Sequence, residues 1–320
     1  ETRNSYPRLT YLNIRTEELR LPMPWGHIAA KAWGSPKGKH ILVVHGILDN
    51  AGSFDRLIPL LPRSHYFVCI DLPGHGLSSH FPAGVPLDHF QYVLVIRRVL
   101  DHLNWKSCFY MGHSFGALLG LIHSTLYPGD IEQLIFFYLD SAIPVSNDEL
   151  VSSIRYILDY VIKLESNENV ALRWYTKDEV LRTFTDLRYS ALSNAAAEAL
   201  LKRSVTRVGD KYKFNRDLRL NTGAFPFLNN EQHAAILKRL KTPVLVIISS
   251  ELALISNDNP QSAKIDRENK KNSFVIVEGN HDVHNNYPER VAPHICKILS
   301  NLKSTFIYTV PHVEFTLCIR

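Results

Sequence analysis

Phe109-Tyr110-Met111-Gly112-His113-Ser114-Phe115-Gly116-Ala117-Leu118-Leu119-Gly120 is the stretch around which the chain is organised. It opens as an apolar, aromatic run, as a buried strand does. It turns through Gly-His-Ser-Phe-Gly and continues as a small, apolar helix-forming run, Ala117 to His123. Strand, sharp turn and helix form the context of a Gly-x-Ser-x-Gly nucleophile elbow. The spacing predicts a strained turn at Ser114, with glycines at 112 and 116 because a side chain there would strike neighbouring backbone. The following helix aims its first N–H groups at the same spot.

The flanking sequence repeats that rhythm. Ile41-Leu42-Val43-Val44 is an unbroken apolar run, expected of a strand covered on both faces. Tyr66 to Ile70 and Ile131 to Leu139 read as further strands, and Leu87 to Leu103 as the helix before the elbow. Upstream, Glu18 to Leu21 and His27 to Trp33 flank a proline-containing turn, and Phe54 to Leu61 reads as a short helix. Alternation of strand and helix predicts an α/β fold with a mostly parallel sheet and helices on both faces. After Pro144 the rhythm breaks. From 145 to 230 the chain is helix-rich (Glu149 to Leu164, Lys177 to Thr185, Asn194 to Ser204), with one hairpin candidate around Gly209-Asp210. This is expected to be an inserted helical lid between a first core part, 1–144, and a second, 231–303. The second part carries helix Glu231 to Leu240, strands Val244 to Ile248 and Phe274 to Val277, and helix Pro288 to Leu302. The tail, 304–320, has no assigned role.

The chain has 320 residues, 45% hydrophobic and 21% charged, enough for a full globular core. Its net charge is +5, but the basic residues are scattered, which argues against nucleic-acid binding. The four cysteines have no CxxC spacing, and Cys69 and Cys108 fall in strand-like runs; both features favour a reducing compartment. No apolar run reaches membrane-span length, so no integral membrane segment is expected. The chain starts at Glu1, which leaves room for a targeting segment ahead of it, and ends in Cys318-Ile319-Arg320 rather than a peroxisomal Ser-Lys-Leu.

A serine hydroxyl needs a base within hydrogen-bond reach. Val277-Glu278-Gly279-Asn280-His281 supplies a histidine after the last strand, with a glycine to bend the loop; His284 is the competitor and reads better as a packing residue. The orienting carboxylate is open between Asp140, at a strand end, and Glu251 or Asp258, after strand Val244 to Ile248. Asp140 ranks first, although an aspartate at a strand end often only caps a turn. The N–H groups of Phe115 and Ile47 are the candidate oxyanion donors. His45, His113, Tyr156 and Trp174 are candidate substrate contacts, and the aromatic insert, with Tyr160 and Tyr175, suggests a small to medium lipophilic substrate; ordinary packing would explain those rings equally well.

The signatures His45-Gly46, Asp71-Leu-Pro-Gly-His-Gly-Leu-Ser78, Gly112-His-Ser-Phe-Gly116 and Gly279-Asn-His281 together resemble the α/β-hydrolase superfamily. Stretches 24–34, 48–62 and Asn215-Arg216-Asp217-Leu218-Arg219-Leu220 resemble its serine hydrolase-like, kraken-type group, over about Leu19 to Leu302. The resemblance implies the α/β-hydrolase fold and a serine hydrolase in the cytoplasm or peroxisome. Serine at 114, where related dehalogenases and epoxide hydrolases carry aspartate, argues against those reactions. The loop after Ile248 departs from the group by lacking the usual acid. The expected chemistry is ester cleavage through an acyl-enzyme, with no metal or organic cofactor, in a monomer or homodimer. The alternative is a hydrolase fold kept as a non-catalytic ligand-binding protein.

Overall fold

The computed structural model describes residues 14–138, 147–166, 173–223, 229–257 and 271–300. Eight strands form the central sheet: β1 (Thr16–Met23), β2 (Gly26–Trp33), β3 (Lys39–Val44), β4 (His65–Ile70), β5 (Cys108–His113), β6 (Ile131–Phe137), β9 (Val244–Ser249) and β10 (Ser273–Val277). Their order is β1-β2-β4-β3-β5-β6-β9-β10. Strands β1, β2 and β4 pair antiparallel, and every pair from β4 to β10 is parallel. The expected α/β architecture is what the chain adopts.

The apolar strand runs explain the layering. In β3, Leu42 and Val44 enter one core with Tyr110, Leu134 and Val246, under helices α1 (His89–His102) and α2 (Phe115–Leu126). Ile41 and Val43 enter the other, with Met111, Ile135 and Ile247. On that face lie helices α8 (Val283–Asn286) and α9 (Pro288–Leu299). Successive side chains point to opposite faces, so a strand covered on both sides reads as continuously apolar.

The insert carries α3 (Asn147–Ser166), α4 (Lys177–Thr185), α5 (Asn194–Ser204) and the antiparallel hairpin β7 (Val205–Val208) and β8 (Lys211–Phe214). Val180, Phe184, Ala197 and Leu200 form a small core of its own. None of its described strands joins the central sheet. It is pinned to the sheet's C-terminal edge by polar anchors. Asn50 donates to Leu200 O (3.0 Å) and Ser204 Oγ (2.8 Å), and buried Arg203 joins Asp71 (2.9 Å) to Glu18 (2.7 Å).

Two local expectations are corrected. Phe54 to Leu61 is not a helix; Ala51–Phe54 and Ile58–Leu60 are separate 3₁₀ turns. Pro59 has no N–H and its ring crowds the preceding turn, so an α-helix cannot run through it. The segment after β9 is not an open loop, because α6 (Asn230–Leu237) leads into β9 and α7 (Ser250–Asn257) leaves it directly.

Candidate active site

The chain moves from β3 out to β4, then crosses to β5 on the other side of β3. The C-terminal ends of β3 and β5 therefore diverge at a switch point, where open parallel sheets form their crevice. Ser114 stands there, half-buried, with φ 50° and ψ −113°. Leu48 (φ 65°) after β3 and Tyr138 (φ 56°) after β6 share the left-handed region, so strained backbone clusters at three adjacent strand ends. The two elbow glycines are required by close approach. A Cβ on Gly112 would stand 2.7 Å from Ala117 N, and one on Gly116 would collide with Val44 O.

The His45-Gly46-Ile47 loop runs against the serine: a Cβ on Gly46 would lie 3.3 Å from Ser114 Cβ and 2.8 Å from His113 Nδ1. His45 ties this loop to the next. Its Nε2 accepts from Leu72 N–H (3.0 Å), which leaves the proton on Nδ1 to donate to Gly46 O (2.7 Å). Burial lowers its pKa to about 4 and keeps it neutral. Asp71 anchors the second loop, accepting from Ala51 N and Leu77 N at 2.8 Å each.

His281 brings its ring to 4.6 Å from that of His113 and 5.1 Å from that of Tyr138 (centroid distances). Beneath it lies a buried ionic cluster. His113 Nε2 donates to His281 O (3.1 Å), and His113 Nδ1 faces Asp49 Oδ2 at 3.5 Å. Arg188, from the loop after α4, donates to Asp49 Oδ1 (2.8 Å) and Asp282 Oδ1 (3.0 Å). Burial alone would raise both carboxyls. The Arg188 guanidinium overcomes it at Asp49, and contacts with His281 and Arg188 overcome it at Asp282, so both lie below the usual range. Asp282 Oδ2 is 3.5 Å from His281 Nδ1, a charge contact longer than a hydrogen bond. For His281, burial and then the neighbouring His113 lower the pKa against the pull of Asp282. In the neutral imidazole one ring nitrogen carries the proton and the other is free to take one.

Several expected residues fall elsewhere. Ser114 and His281 form no hydrogen bond to each other, a separation common in unliganded sites. Asp140 and Asp258 lie outside the described residues. Glu251 is exposed in the first turn of α7 and makes no hydrogen bond or ion pair with His281. His45 and His113 are fully buried, and their rings hold neighbouring loops. Tyr156 is 62% exposed and stacked on Tyr160, and Trp174 is 44% exposed. His284 packs between Phe54 and Phe137 and the ring of His113. Sequence reasoning missed Asp49, Arg188 and Asp282; the one local signal was an aspartate directly after His281. His113, His281 and Asp282 could offer a metal three ligand atoms within 4.8 Å of one another. Arg188 already supplies positive charge to that aspartate, which disfavours a cation there.

Residues 41–294 match the family model described as the alpha/beta hydrolase family. The chain belongs to this family. Among curated relatives, it is 37% identical to human serine hydrolase-like protein 2, over 88% of this chain and 93% of that protein. It is 32% identical to a probable serine hydrolase of Drosophila melanogaster, over 88% of this chain and 87% of that one. Among solved structures, a hypothetical protein of Pseudomonas aeruginosa PAO1 superposes with a TM-score of 0.77 at 24% identity, covering 89% and 98% of the two chains. A thioesterase domain from the curacin biosynthetic pathway gives 0.71 at 21%, covering 88% and 99%. At those identities the structural likeness bears on the fold alone. Among the described residues no helix is long and apolar enough to cross a membrane.

Proposed function

We propose that this alpha/beta hydrolase is a serine hydrolase of carboxylesterase type. The observation that carries the reading is Ser114 in a strained turn at the switch point, with the Gly46 loop and the N-terminus of α2 against it. Ser114 Oγ attacks an acyl carbonyl while His281 Nε2 takes its proton. The N–H groups of Phe115 and Ile47 receive the developing oxyanion. His281 returns the proton to the departing alcohol, and water then releases the acid by the same route.

Asp140 is the proposed orienting acid. It follows Tyr138 by two positions, and the Tyr138 ring meets that of His281. Asp282 holds the local charge, but its other oxygen is engaged by Arg188. The insert, 145–230, is proposed as a lid, since Arg188 and Asn50 tie it to both site loops. The loop after β3 carries apolar Ile47 and Leu48 next to Gly46, which suits a small to medium lipophilic ester. Hydrolysis of p-nitrophenyl butyrate tests the reading. Ser114→Ala should lower kcat about 10⁴-fold or more, as loss of a triad member does. Near-wild-type activity in that variant would remove Ser114 from the mechanism.

A further inference from the structure

Ser114 and His281 do not line the cleft of about 840 Å³ between the insert and the loop after β4. Its walls are apolar: Phe81 from the loop, Val161 and Leu164 from α3, and Tyr175 and Phe214 from the insert. Besides the ion-paired Arg219, three cations stand among them, Arg173, Lys213 and Arg216. None has a carboxylate within 4 Å or donates a hydrogen bond among the described residues, and the Arg216 Nε is buried with no partner. Three carboxylates stand near: Asp217 is taken by Arg219 (2.6 Å) with His80 behind it (3.6 Å), Glu165 lines the cleft but is exposed, and Glu179 is held by Thr176 and feels Arg173 without forming an ion pair with it.

Aromatic stacking holds the guanidinium groups in place. Arg173 lies 4.8 Å over the Tyr175 ring and Arg216 lies 5.2 Å over that of Phe214. The two rings meet edge to face at 5.1 Å. The result is a pair of rings flanked by two guanidinium groups whose N–H edges have no partner among the described residues, the arrangement that receives a carboxylate or phosphate. A salt-bridged arginine would have spent those donors on the protein.

We propose that this cleft is a second ligand site, which binds an amphipathic anion. Its carboxylate or phosphate head meets Arg216 and Arg173, and its apolar body lies along Leu164, Val161 and Phe81. The site is independent of turnover at Ser114.

The test is calorimetric titration of the whole chain with dodecanoate and with dodecyl phosphate, each below its micelle concentration, and with uncharged dodecyl maltoside as control. Saturable one-to-one binding of either anion, weakening as salt rises, is expected; the tighter of the two identifies the head group. Arg173→Gln with Arg216→Gln should weaken it at least about tenfold, and Ser114→Ala should leave it unchanged. Should the double variant melt early, Lys213→Gln on the half-exposed hairpin gives the same test with a smaller loss. The proposal is overturned if neither anion saturates, if the charge variants bind as wild type does, if dodecyl maltoside binds equally, or if Ser114→Ala abolishes binding. Because binding is read directly, a protein without hydrolase activity would leave this result untouched.

Discussion

Replacing Arg188 with methionine removes the one guanidinium between two buried carboxylates. Asp49 and Asp282 are 3% and 1% exposed, and Arg188 reaches them at 2.8 and 3.0 Å. Breaking a buried ion pair from one side costs about 3–5 kcal/mol, because the stranded charge stays buried. The Arg188 side chain is 21% exposed, so some water can enter, and about 3 kcal/mol is the expected loss. With an unfolding entropy of about 2.1 cal/mol/K per residue over 320 residues, this lowers Tm by about 4–5 °C. The pH dependence gives a sharper check. In the wild type both carboxyl pKa values are depressed, so their contribution is present above the ordinary carboxylate value and is lost as pH falls through the native one. In the variant only His113 and His281 still oppose burial, so both pKa values rise from their wild-type positions and the penalty of the stranded charges grows as pH rises through them. Differential scanning calorimetry of the two proteins at pH 7.5 and 5.0 should show the gap narrowing in acid. A variant within about 1 °C of wild type at pH 7.5, or a gap that widens at pH 5.0, would refute the reasoning.

Three other outcomes follow from the same geometry. Asp140→Asn should lower kcat for p-nitrophenyl butyrate about 10⁴-fold while Glu251→Gln stays near wild type, and if Asp282→Asn is the crippled variant instead, the acid is Asp282. Buried His45 and His75 have pKa values lowered to about 4 and about 3, so each stabilises the protein above the unfolded value near 6.5 and loses that contribution as pH falls. Between pH 6.5 and 5 each should withdraw about 2 kcal/mol, visible as an earlier urea midpoint, and a pH-independent midpoint would contradict the burial argument. Gly116→Ala forces a methyl into the Val44 and His45 carbonyls and should cost about 1–3 kcal/mol or more with loss of activity; a well-folded, active variant would show that the elbow can relax.

The sheet was legible because its signals are local. Unbroken apolar runs mark β3, β4 and β5, and the two elbow glycines stand where backbone meets backbone. Helices α4 and α5 run over the spans expected from the sequence, and in the structure Thr176 and Ser193 cap them. The ionic cluster was not legible. Arg188 is 139 residues from Asp49 and 94 from Asp282, and pairing over such separations leaves no periodicity to read. The exposure of Tyr156 and Trp174 was not legible for a related reason: an aromatic residue in an amphipathic helix or loop can face solvent, and composition does not say which way it points. The 3₁₀ turns at 51–60 were obscured because an apolar run suggested a helix that Pro59 forbids.

The central claim is that Ser114 is an activated nucleophile beside His281. The most direct test is labelling of the folded protein by a serine-directed fluorophosphonate, with the modified residue mapped by peptide mass spectrometry. The account predicts one adduct per chain, on Ser114, slowed in His281→Ala and absent in Ser114→Ala. A folded wild-type chain that remains unlabelled, or an adduct on another residue, would contradict it and favour a hydrolase fold that binds without turning over.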